Sequence, residues 1–210
     1  CNLFRILALI GDEQADRLTV STLPASHSWF HADEERLFSR LDAMSGFLDV
    51  LGRQTGRLMQ LGLEPEPFGH FHDTDGAIRF FNGLRNRSRR PELIERHLGL
   101  TYDTCHFAIL REEPEFTLSA WEENNIALCK VQFSNALECR ICGEEDLERL
   151  RQFDDGVYFH QTSILHREGA MLFPDLPNAM AYGRDYAEEI RDSQWRIHYH
   201  IPLYLSLIHI

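Results

Sequence analysis

The sequence predicts an α/β fold: part of a (β/α)8 barrel, truncated at both ends. Three observations predict it. Short apolar runs end abruptly in polar side chains, as buried parallel strands do where they deliver ligands at their C-terminal ends. These runs alternate with amphipathic helical stretches in the order strand-helix, four times over before Gly156. Such repetition implies parallel strands joined by right-handed helical crossovers. An open doubly wound sheet would satisfy the same order, but no G-x-G-x-x-G follows any strand, so a dinucleotide-binding sheet loses support.

The elements follow in order. Residues 1–17 read as the end of a helix and a loop. The β-branched run 18–23 is a strand stopped by Pro24. Residues 33–52 carry Leu37, Leu41, Met44, Phe47, Leu48 and Leu51, the spacing of an amphipathic helix. Strand 58–63 comes next, then a helix over 73–84 with Ile78, Phe80 and Phe81 inward. Pro91 opens a helix that runs to about His97. The central strand, Leu98-Gly99-Leu100-Thr101-Tyr102, ends in Asp103 and then His106. A helix over 112–124, a strand over 126–133 and a helix over 144–153 complete the repeat. Beyond Gly156 the pattern changes. A strand over 157–162, a turn over 166–170 and a return strand at 171–173 suggest a hairpin, with a short helix over 175–181 behind it. In the last stretch Trp195, Ile197, Tyr199 and Ile201 alternate with Arg196, His198 and His200, so the two histidines share one face of a strand.

The chain has 210 residues, 43% of them hydrophobic, enough for one domain with a real core. We assign that domain to residues 1–204. The final residues, Leu205–Ile210, read LSLIHI, the peptide that a common transposase-adapter DNA encodes in frame, and are expected to be a sequencing-adapter tail. A formal net charge of −12 argues against a nucleic acid partner, which needs clustered Lys and Arg; the basic run 85–90 reads as a solvated loop. No apolar run is long enough for a transmembrane segment, and no secretory signal is seen. Five cysteines, mostly inside apolar runs, favour free thiols in a reducing, cytoplasmic setting. Cys139-x-x-Cys142 lacks the second half that a structural zinc site needs.

The polar strand tips form the candidate site: Glu64, Asp103, His106, Gln132, His160, His198 and His200. Carboxylates with a few imidazoles suit a divalent metal such as Mn, Mg, Co, Fe or Zn. Glu66 competes with Glu64; the two point the same way along a strand, one to ligate and the other to orient.

Several blocks in series carry a resemblance: Ser21-Thr22-Leu23-Pro24, Leu63-Glu64-Pro65-Glu66-Pro67, Tyr102-Asp103-Thr104-Cys105-His106, Lys130-Val131-Gln132-Phe133-Ser134, Phe159-His160-Gln161-Thr162 and Trp195-Arg196-Ile197-His198-Tyr199-His200-Ile201-Pro202. From about Thr19 to Tyr204 the chain resembles the EboE-type metabolite traffic proteins. These belong to the xylose-isomerase-like barrels, which include sugar isomerases, epimerases and an endonuclease type. The resemblance implies a metal held by Glu64, Asp103 and His106, with a last glutamate beyond Tyr204. Gln132 stands where the epimerase branch has histidine, and His198 and His200 resemble the endonuclease branch's extra metal-binding pair. The implied activity is metal-assisted isomerisation or epimerisation of a sugar- or cyclitol-like polyol, with Glu66 and His106 in catalytic roles. The alternative is a non-catalytic carrier of a hydrophobic or prenylated precursor metabolite, working beside a prenyltransferase-like partner, with Trp29, Phe30, Phe68, Phe71 and Phe107 near the barrel mouth. A degenerate barrel kept as a scaffold is the third reading.

Overall fold

The computed structural model describes residues 1–11 and 14–199. His200 and the 205–210 tail lie outside them. In chain order the elements are α1 (Asn2–Ile10), β1 (Arg17–Thr22), α2 (Glu34–Thr55), β2 (Leu58–Leu63), α3 (Thr74–Arg87), α4 (Pro91–His97), β3 (Leu98–Asp103) and α5 (Thr104–Leu110). There follow α6 (Pro114–Glu123), β4 (Ala127–Gln132), β5 (Leu137–Ile141), α7 (Glu144–Leu150) with a 3₁₀ turn (Arg151–Phe153), β6 (Thr162–His166), β7 (Gly169–Phe173), α8 (Leu176–Asp185) and β8 (Ser193–Ile197). Two compact units emerge. One holds Cys1–Asp103 and Pro114–Gln132; the other holds Thr104–Glu113 and the chain from Phe133 onward.

The first unit is the predicted repeat. Its four strands are parallel and lie in sequence order, β1-β2-β3-β4. Helix ends are set by local chemistry. Asp33 accepts the Arg36 N–H at 3.1 Å to open α2, Gly56 closes it at φ +70°, and Asp73 accepts the Gly76 N–H at 2.6 Å to open α3. One face of the sheet carries Met59, Leu61, Leu63, Leu98, Leu100 and Tyr102, all buried, as are Phe38, Leu41 and Leu48 of α2 and Phe80, Phe81 and Leu84 of α3. The opposite parity carries Gln60, Gly62, Gly99, Thr101 and Asp103. Here the sheet curls sharply. A Cβ on Gly62 would sit 2.5 Å from Thr101 Oγ1, and one on Gly99 would sit 2.2 Å from the Ala127 carbonyl oxygen, so both positions require glycine. The curl brings β1 against β4, which it does not pair with: Lys130 Nζ reaches Ser21 Oγ at 3.2 Å, and the Arg17 guanidinium donates to the Leu128 carbonyl. The result is a parallel half-barrel.

The second unit abandons the repeat. Its strands run β5-β8-β6-β7, every pairing antiparallel. Trp195 and Ile197 of β8, Ile164 of β6, Leu147 and Leu150 of α7, and Leu176, Ala179 and Met180 of α8 form its core. The Trp195 indole N–H is satisfied by Ser193 Oγ at 2.8 Å. Helix α5 is held here by its ends. The Cys105 N–H donates to Ser134 Oγ (3.1 Å), Thr104 Oγ1 accepts the Ser134 N–H (2.8 Å), and Arg111 donates to the Gln194 side chain and carbonyl (both 2.8 Å).

Several local expectations change. The basic run 85–90, expected as a loop, belongs to α3 through Arg87, and β8 ends at Ile197, so His198 lies past the strand expected to carry it. The strand expected over 157–162 starts only at Thr162, because the Asp155 carboxylate accepts the N–H groups of Val157 and Tyr158 and turns the backbone out of a ladder. The helix expected over 112–124 starts at Pro114, and the seven-residue helix α5 precedes it. The strand β5, not expected, alternates buried Leu137 and Ile141 with exposed Glu138 and Arg140.

Candidate metal centre

The first unit supplies carboxylates. The Glu64 N–H extends the ladder past β2 by donating to the Thr22 carbonyl at 2.9 Å, and Pro65, which has no N–H, ends it. Asp103 closes β3, fully buried, in register with Gln132 on β4. Glu64 and Asp103 share strand parity on neighbouring parallel strands, so both point to the same side, and a carboxylate oxygen of each lies within 4.8 Å of the other. Burial first, then the nearby Asp103 charge, pushes the Glu64 carboxyl up to about 7; Lys130 pulls the other way and Glu66 adds to the rise. Lys130 Nζ also donates to Gln132 Oε1 at 3.2 Å.

The second unit supplies imidazoles. His106, on α5, is 4% exposed, and its ring meets that of His198, just past β8, edge to face with centroids 4.8 Å apart. A nitrogen of each ring lies within 4.8 Å of one on the other. His198 is held by its neighbours along the sheet. Its N–H donates to the Gln161 carbonyl (2.8 Å), its Nδ1–H donates to Gln161 Oε1, and its own carbonyl faces His160 Nδ1 (2.9 Å). The His160 N–H in turn donates to Asp175 Oδ1 (2.9 Å), its Nε2 lies 3.4 Å from Asp155, and its ring stacks on Tyr199.

Of the residues singled out from the sequence, Glu64 and Asp103 come together in one unit and His106 and His198 in the other. Gln132 sits beside Lys130, Glu66 contributes to the field at Glu64, and His160 braces the His198 backbone. His200 is outside the described residues. The described residues thus include His, Asp and Glu groups able to hold a metal ion. Sequence reasoning missed Lys130 and Gln161. Lys130 was accessible, because it shares strand parity with Gln132. Among the apolar residues expected at the mouth, Phe71 and Phe107 are buried, while Trp29 and Phe30 are 57% and 69% exposed. No helix of the described residues is long and apolar enough to cross a membrane. No protein-family model matches the chain, and no curated protein matches it.

Proposed function

We propose that this protein is a divalent-metal-dependent isomerase or epimerase acting on a sugar- or cyclitol-like polyol, related to the xylose-isomerase-like barrels. The observation that carries the reading is the Glu64–Asp103 pair. Two carboxyls this close cannot both ionise freely without a cation, and Glu64 keeps its proton to about pH 7. A donor set of two carboxylates fits Mg, Mn, Co, Fe or Zn. When bound, the ion supplies electrophilic stabilisation of an enediolate-like charge. The protein's own groups do the rest. Lys130 places a cationic donor beside Gln132, where a substrate hydroxyl can be oriented. Glu66, half-buried two residues beyond Glu64, carries the proton between substrate carbons. Five free cysteines fit the reducing cytoplasm we assign to it.

The test is metal content of the purified protein, with Glu64→Gln and Asp103→Asn alongside. The wild type is expected to hold an ion that each variant loses, and to exchange solvent deuterium into one member of a polyol panel. Full occupancy in both variants overturns the assignment.

Trp29 and Phe30, large, apolar and exposed in the loop after β1, favour a second reading: a carrier of a hydrophobic or prenylated precursor that works with a prenyltransferase-like partner. Tight binding of such a precursor without turnover would select it.

A further inference from the structure

We propose that Gln161 is a positioning residue that fixes the tautomer of His198, so that Nε2 is the nitrogen offered to a metal; this rests on the metal-dependent reading above. The argument is one of donors and acceptors. An amide oxygen only accepts, so the His198 ring must carry its proton on Nδ1 to bond Gln161 Oε1. A neutral imidazole protonated on Nδ1 keeps its single lone pair on Nε2. Metal-bound histidines are commonly arranged in this way, with the second ring nitrogen donating to an oxygen that orients the ring.

The surroundings leave His198 little freedom to escape this arrangement. Its N–H is tied to the Gln161 carbonyl and its own carbonyl to His160 Nδ1, so residues 160 and 161 grip both the backbone and the ring. The grip is itself anchored, since Asp175 accepts the His160 N–H while also opening α8 through the Leu176 N–H. Gln161 is buried at 4% exposure, so its amide must find its partners inside the protein. The other imidazole in reach is His106, edge-on to His198. With Nδ1 of His198 committed, Nε2 is the nitrogen that can join His106 on one ion.

The experiment is a long-range ¹⁵N–¹H spectrum of metal-free protein labelled with ¹⁵N-histidine, with His198→Asn identifying the His198 signals. The wild type and Gln161→Glu, which keeps an oxygen acceptor, are expected to show a protonated Nδ1 and a bare Nε2. Gln161→Leu is expected to move proton density to Nε2. A wild-type ring protonated on Nε2, or a Gln161→Leu ring that is unchanged, overturns the proposal. If Gln161→Leu fails to fold, the wild-type and Gln161→Glu spectra still decide the tautomer. Zinc titration then reads the consequence: Gln161→Leu should bind about 10–100-fold more weakly, with Gln161→Glu restoring part of the loss. Equal zinc affinity in wild type and Gln161→Leu overturns the proposal. Absence of zinc binding in the wild type overturns the metal-dependent reading, and the spectrum still reports whether Gln161 sets the tautomer.

Discussion

The two sheets have four strands each, and they bring polar side chains together by different means. In the parallel sheet every strand ends on the same side, so same-parity residues at neighbouring ends converge without help. Glu64 and Asp103 meet because β2 and β3 are adjacent and parallel, and the cost is like charge at short range. In the antiparallel sheet neighbouring strands end on opposite sides. There His198 is placed by a hydrogen bond from the His160 ring and by those it donates to Gln161, two residues that precede β6. Topology positions the carboxylates; individual side chains position the imidazoles.

That contrast can be broken at graded cost. The largest effect is expected from Trp195→Ala, which empties the centre of the antiparallel unit's core and should destabilise by about 3–5 kcal/mol, read by urea unfolding. The stability of the parallel unit turns instead on backbone spacing. Gly99→Ala drives a methyl against the Ala127 carbonyl and the Cys129 sulfur and should cost about 1–3 kcal/mol, whereas Gly143→Ala, whose new methyl meets no atom within 4 Å, should stay within about 0.5 kcal/mol of wild type. If Gly99→Ala is as mild as Gly143→Ala, the close approach of β3 and β4 is wrong.

A further test is a pH dependence. Glu64 holds its proton to about pH 7 in the folded chain and to its ordinary value of 4.5 when unfolded. Between those values the native state binds the extra proton, so stability of the metal-free protein should fall as pH rises from about 4.5 through 7, then level off. Glu64→Gln should flatten that slope. A slope that survives the substitution assigns it to another group.

The parallel half was legible in the sequence because its two central strands, β2 and β3, are buried on both faces and read as largely apolar runs. Leu58–Leu63 is bounded as expected, and Asp33 and Asp73 mark helix starts where the structure has them. The antiparallel half was less legible, for identifiable reasons. Helix α5 has only seven residues and takes its support from Ser134 and Gln194, which no local pattern announces. The strand expected from Val157 was displaced by one carboxylate, that of Asp155. The site divides the same way. Glu64 and Asp103 stood out as polar tips on apolar strands. Gln161 did not, because its significance depends on a residue 37 positions away.

The proton resting on Glu64 has a consequence for traffic in and out of its neighbourhood. On the metal-dependent reading proposed above, an ion arriving there would displace that proton into the bulk, so loading would be an exchange of one cation for another. In weakly buffered medium uptake would register as acidification, and a drop in ambient pH would strip the ion at constant concentration.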